Sequence, residues 1–159
     1  METSKIKIFD GAQKSKISDI KKALIFDSSS LISMSMTSLL SDFVKLKESF
    51  NGEFIITEDV KREIIDKPLT MKKFELEALR LEALLKKGIF KMPKDIGISD
   101  KEISDSTKKI LNHANNIFKA RKRQVFLISD GETSCMALNQ ILLKKGIKSV
   151  IVVDERTTR

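Results

Sequence analysis

The sequence has no tryptophan and no tyrosine, a single cysteine, a single histidine and only two prolines. With phenylalanine as its sole Phe/Trp/Tyr residue type, it is a weak candidate for binding by base stacking on aromatic rings. The lone Cys135 excludes an internal disulfide. It lies within an apolar helical pattern and reads most simply as a small buried hydrophobe in a reducing compartment. One cysteine and one histidine cannot supply the usual ligands of a zinc site. No stretch approaches the roughly 20 apolar residues of a membrane span. The opening "METSKIKIFDGAQKSKISDIKK" is basic but has no apolar run of the kind a secretion signal carries, so a cytoplasmic location is expected.

What is present describes a folded chain. Its 159 residues suit one ordinary domain, and 41% hydrophobic with 33% charged residues is the balance of a globular protein rather than a disordered one. Thirty Lys and Arg against 22 Asp and Glu leave a formal charge of +8. That excess favours a polyanionic partner such as RNA, DNA or an anionic membrane surface, with a solvated lysine-rich surface as the plainer alternative.

Residues 1–22 are rich in Lys and Ser and read as a basic N-terminal extension, with one short apolar piece in "KIKIFD" that could cover a sheet edge; residues 23–159 read as the domain. "KALIFD" is a strand ending at Asp27. The run that follows it carries Leu31, Met34, Leu39, Phe43 and Leu46 at helical spacing, with Met34 and Met36 assigned to core packing. "EFIIT" is a second strand, and Thr57 is the N-cap of the helix "EDVKREII". The pattern then predicts a longer helix, "TMKKFELEALRLEALLKKG", with Phe74, Leu81, Leu84 and Leu85 facing the core and Gly88 closing it. "IFKMPKDIGISDKE" reads as a loop, and a further helix starts at Ser104 with Ile110, Leu111, Ala114, Ile117 and Phe118 inward. "VFLI" is a third strand, Gly131 opens the helix "ETSCMALNQILLKK", and "SVIVV" is the last strand. Short buried strands alternating with helices predict an α/β sandwich of three layers around a central parallel sheet.

In such sheets ligands bind beyond the carboxyl ends of the strands. Carboxylates recur at those ends: Asp27 after "ALIF", Asp130 and Glu132 after "FLI", Asp154 and Glu155 after "IVV". Glu63 joins them from the second turn of a helix, at the margin of its inward face. Each acid alone is readily a cap or first-turn residue. Together they would repel one another, and a divalent cation resolves that conflict. Oxygen donors without Cys or His suit Mg²⁺ or Mn²⁺, which can polarise a phosphate oxygen and lower the pKa of a bound water.

These residues carry a resemblance. "ALIFDSSSLI" resembles the opening motif of PIN domains, an Asp with a small hydroxyl residue, Ser29, two places on. "ITEDVKREII" is similar to their second motif, "SDGETSCMALNQ" to a Gly-Glu version of the third, and "VVDERTTR" to the fourth. The resemblance covers about residues 22–159 in order. It implies a Mg²⁺- or Mn²⁺-dependent endoribonuclease, with Asp27, Glu63, Glu132 and Asp154 at the acidic motif positions. Asp130 and Glu155 are one-residue alternatives, and Ser29 would orient an acid or a metal-bound water. RNA is the implied substrate, with the basic cluster Lys119, Arg121, Lys122 and Arg123, and Arg156 beyond the fourth motif, as candidate contacts. Relatedness to the toxins of toxin–antitoxin pairs would add a small antitoxin protein as a partner. A non-catalytic RNA- or protein-binding member of the same fold is the competing reading. The Met- and Ser-rich stretch from Ser33 to Ser38 is a candidate homodimer surface. PIN domains usually continue past the fourth motif, so the expectation includes a sandwich missing its last C-terminal element.

Overall fold

The computed structural model describes residues 17–37, 39–118 and 129–154, with the backbone alone over 114–118. The chain is α/β. Among the described residues, four parallel strands, β1 (Lys22–Phe26), β2 (Glu53–Ile55), β3 (Phe90–Lys91) and β4 (Lys148–Val152), form one sheet in the order β3-β2-β1-β4. Six helices accompany it among the described residues: α1 (Ser28–Met36), α2 (Leu40–Ser49), α3 (Glu58–Lys61), α4 (Glu75–Lys86), α5 (Asp100–Phe118) and α6 (Asp130–Lys144). α6 lies against β1 and β4 and packs on α3 and α5, while α1 packs on α4, an arrangement compatible with three layers. No helix among the described residues is long and apolar enough to cross a membrane.

Successive residues Ile25 and Phe26 are both buried, so β1 is covered on both faces, as a central parallel strand must be. On one side, Phe26, Phe54 and Phe90 from three neighbouring strands meet Phe43 of α2 edge-on or tilted, with Phe26 5.3 Å from Phe43 and 5.2 Å from Phe54 between ring centroids. Rings at such offsets add to the area they bury. Phe26, Phe43, Phe54 and Phe90 thus serve as a packing layer.

Local signals fix the element ends. The Asp27 carboxylate accepts the Ser29 N–H at 3.1 Å and caps α1, and the Thr57 hydroxyl accepts the Val60 N–H at 3.3 Å and caps α3. Gly88 and Gly146 take φ of +72° and +79°, and Ile89 and Ile147 then donate back to Leu84 and Leu142, closing α4 and α6.

Several expectations are corrected. The predicted helix after Asp27 is two helices, because Thr37 bonds back to the Ser33 carbonyl and the chain turns before Leu40. The break shifts the helical phase, leaving Leu39 and Leu46 about half exposed and Met36 at 70% exposure, while Met34 packs on the core. α4 begins at Glu75 rather than near Thr70, so Phe74 stands at its N-cap and is exposed. The expected loop from Ile89 to Glu102 contains β3, and α5 starts at Asp100, where the Ser99 hydroxyl accepts the Glu102 N–H. The predicted strand "VFLI" lies outside the described residues, as does "KIKIFD". Ile20, within the segment assigned to the N-terminal extension, is part of the core.

Candidate functional site

The strand order fixes where a site belongs. The chain progresses from β1 to β2 to β3 on one side, then crosses to place β4 on the other side of β1. The carboxyl ends of β1 and β4 therefore flank a topological switch point, where a crevice opens between diverging connections. Asp27 and Asp154 stand just past those two ends, and the Asp27 N–H donates to the Val152 carbonyl at 3.0 Å.

Ser29 joins the two acids. Its hydroxyl donates to Asp27 Oδ2 at 2.6 Å and accepts the Asp154 N–H at 3.2 Å. Ser30 reinforces the junction by donating to the carbonyls of Asp27 and Val152, and Ser33 donates to Asp154 Oδ2. Of the two Asp27 oxygens, Oδ2 is thus held by Ser29 twice. Oδ1 is buried without a hydrogen-bond partner among the described residues, in a side chain whose residue is only 3% exposed. Such a group is costly to leave unpaired.

Glu63 approaches from a π-helical turn, Arg62–Asp66, that continues α3. A π turn widens the helix locally and re-aims the side chains on it. Here it sets the half-buried Glu63 carboxylate against the first turn of α6: a Cβ built on Gly131 would stand 3.0 Å from Oε2 and 3.1 Å from Oε1. Glycine at 131 is what makes room for this acid. Glu63 has no ion pair or side-chain hydrogen bond among the described residues.

Beneath the two acids lies Cys135, fully buried, its thiol 3.7 Å from the Phe26 carbonyl. Burial, followed by the negative charges of Asp27 and Glu63, pushes this thiol up to about 12. Both carboxylates therefore act on one point, and the thiol stays protonated. Next to it, the Thr57 and Ser134 hydroxyls bond at 2.7 Å, tying the end of β2 to α6.

The remaining candidates divide. Glu132 is exposed and its carboxylate accepts the Ser129 N–H at 2.9 Å while the Ser129 hydroxyl accepts the Glu132 N–H at 3.2 Å. That is a complete capping box, the structural use of an acid at this position. Asp130 instead lines a cleft of about 370 Å³ between the start of α3 and α5, opposite Thr57, Asp59 and Arg62. Glu155, Arg156 and the cluster Lys119, Arg121, Lys122 and Arg123 lie outside the described residues. Among the described residues, no group of three or more His, Cys, Asp and Glu side chains is gathered closely enough to hold a metal ion. What the fold brings together is Asp27 with Asp154 through Ser29, and Glu63 with Gly131, one turn of α6 before Cys135, whose thiol reaches the Phe26 carbonyl next to Asp27.

The π turn and the capping serine were not foreseen. The Ser-x-x-Glu pattern of "SDGE" is a legible capping signal that points to Ser129, whereas nothing in "REIID" distinguishes a π turn from an α one. No protein-family model, no curated protein and no solved structure matches this chain.

Proposed function

We propose that the chain is a metal-dependent ribonuclease of PIN type, acting on single-stranded RNA at the crevice beyond β1 and β4. The observation that carries this reading is the buried Oδ1 of Asp27, unpartnered among the described residues, with a second carboxylate, Glu63, set against Gly131 on the helix that packs on β1. In a protein of net charge +8, a buried carboxylate oxygen without a partner at a switch point, with Glu63 one helical turn away along α6, is a place that a divalent cation would suit. The donor set is all oxygen, which fits Mg²⁺ or Mn²⁺. Asp27 and Glu63 would hold the ion, and Asp154 would stand beside it, oriented through Ser29 and Ser33. When bound, such an ion supplies an activated water and charge stabilisation at phosphate.

The chain's own residues provide the rest. Ser29 holds Asp27 by occupying Oδ2, which leaves the buried Oδ1 as the oxygen with a lone pair to offer an ion. Gly131 admits Glu63, and the adjoining first turn of α6 offers partly positive N–H groups near an incoming phosphate. Arg62 and Lys108 line the neighbouring cleft and can meet an RNA backbone by salt-sensitive contacts.

The engagement of Glu132 in its own helix cap favours a second reading, an RNA-binding module of the same fold without productive metal loading. Cleavage of single-stranded RNA with Mn²⁺ separates the two. Activity in the unmodified chain that is lost in Asp27→Asn and Glu63→Gln supports the nuclease. Cleavage that survives both substitutions assigns the activity elsewhere, and RNA binding with neither cleavage nor Mn²⁺-dependent thermal stabilisation supports the module.

A further inference from the structure

Lysines of this protein also gather at the opposite end of the sheet, on the β1–β4 side, while Glu53 at the start of β2 is taken up by Lys47 and Lys91. A groove of about 450 Å³ runs beside the starts of β1 and β4, lined by Lys21, Lys22, Lys145 and Lys148 with Ile17 and Ile20, and with no carboxylate among its lining residues. Lys145 pairs with Glu102 at 3.4 Å and stands at the C-cap of α6, where a cation suits the helix dipole. The other three lysines have no such account. Lys21, Lys22 and Lys148 are exposed and form no ion pair among the described residues.

Lys22 and Lys148 are partners in the register of the parallel β1–β4 ladder. Register partners share a face about 4.8 Å apart, and like charges placed so are destabilising. The next register pairs, Ala23 with Ser149 and Leu24 with Val150, show that neutral residues serve this ladder. A like-charged pair beside two further lysines, in a groove whose nearest carboxylates, Asp19 and Glu102, are bonded to Ser18 and Lys145, fits a bound anion. We infer that the groove is a second binding site for the phosphate backbone of a single-stranded RNA, remote from the acidic crevice.

The choice of RNA rests on the nuclease reading, and shape supports it. Ammonium groups converging into a groove match a narrow row of phosphates, whereas a bilayer surface is met by a flat or convex amphipathic face. β1 rises about 3.3 Å per residue, so Lys22 lies about 16 Å along the strand from Asp27. A strand of several nucleotides can therefore reach both ends, running along β1 and β4. Phosphate contacts of this kind position the chain without reading its sequence.

The test is binding of a fluorescein-labelled single-stranded RNA of about 20 nucleotides, in EDTA, by anisotropy over about 50 to 200 mM KCl. The full chain is compared with the double variant Lys22→Gln/Lys148→Gln and with a charge-matched control, Lys72→Gln/Lys73→Gln. The expected result is a loss of about tenfold in affinity for the groove variant only. Its slope of log K against log salt should fall by about 1.4, two contacts at about 0.7 each. Melting by circular dichroism checks that the variants are folded. Equal losses in both doubles, or none in either, overturn the inference. So does loss of binding to phosphatidylcholine–phosphatidylserine vesicles with RNA binding intact, which would assign the groove to a membrane. Failure of the nuclease reading is a separate outcome: groove-dependent binding without Mn²⁺-dependent cleavage leaves the groove standing, and cleavage with lysine-independent binding does the reverse.

Discussion

Replacing Asp27 by Asn should make the metal-free protein more stable while abolishing its response to metal. Asp27 is 3% exposed and has two tasks. Oδ2 caps α1 through Ser29, and Asn caps a helix about as well as Asp, so this interaction survives. Oδ1 has no hydrogen-bond partner among the described residues. A buried unsatisfied group costs about 1–3 kcal/mol, more if charged. The amide still buries one unpaired polar atom but removes the charge, so part of that cost is recovered, about 1–2 kcal/mol. For a chain of this size that corresponds to a rise of about 3–6 °C in Tm. The unmodified protein should be stabilised by Mn²⁺ instead, by about 1.4 kcal/mol at ten times its Kd, and the variant should not. Thermal melts in EDTA and across a Mn²⁺ titration measure both effects. A variant less stable than the parent in EDTA would refute the claim that the carboxylate is uncompensated. An unchanged Mn²⁺ response would refute its assignment as a ligand.

The other expectations concern Glu63, a buried ion cluster and the thiol. Gly131→Ala puts a Cβ about 3.0 Å from the Glu63 carboxylate, which must move by a few tenths of an ångström. Helix propensity favours Ala by up to about 1 kcal/mol, so melts should show no loss of stability while Mn²⁺ affinity falls about tenfold; an unchanged affinity would free Glu63 from the site. At the start of β2, Glu53 is clamped by Lys47 at 2.6 Å and Lys91 at 2.8 Å. Burial by itself raises its pKa, but the hydrogen bonds and charges of the two lysines outweigh burial and hold it below 4.5. Because the folded value is the lower one, the cluster's stabilisation is present above about pH 4.5 and is lost as pH falls through the folded pKa. Glu53→Gln should cost about 3 kcal/mol at neutral pH and flatten the acid limb of a urea-midpoint profile, and an unaltered acid limb would rule the cluster out. Cys135, with its thiol pushed up to about 12 and no exposure, should react with Ellman's reagent only in denaturant. Rapid labelling of the native chain would mean that the floor of the crevice opens.

Much of the fold could be read directly because its signals are local. "KALIFD", "EFIIT" and "SVIVV" are short apolar runs with polar ends, and each is a strand within a residue or two. Thr57 and Gly88 act where their chemistry places them, one as a hydroxyl that meets a free N–H and one as a residue that tolerates positive φ. The helix starts at Ser99 and Ser129 were equally legible as Ser-x-x-Glu patterns, "SDKE" and "SDGE", but the second was read as a pair of site acids. β3 was not legible, since a two-residue strand has no period and exists because β2 offers an unpaired edge. Leu39 and Leu46 face outward because the break between α1 and α2 resets the helical phase, and Phe74 because α4 starts one residue after it.

The sequence alone determined that this is a parallel α/β chain with acids at its strand ends and an excess of lysine, because hydropathy and charge are properties of single residues and their spacing. The tertiary structure decided which of those residues meet. Crossing β4 to the far side of β1 puts Asp27 and Asp154 at one switch point and Lys22 beside Lys148 at the other end of the same two strands. The π turn brings Glu63 to Gly131, and the capping box occupies Glu132. These outcomes depend on strand order, helix phase and competition for hydrogen bonds between residues distant in the chain, none of which is encoded in any one stretch of it.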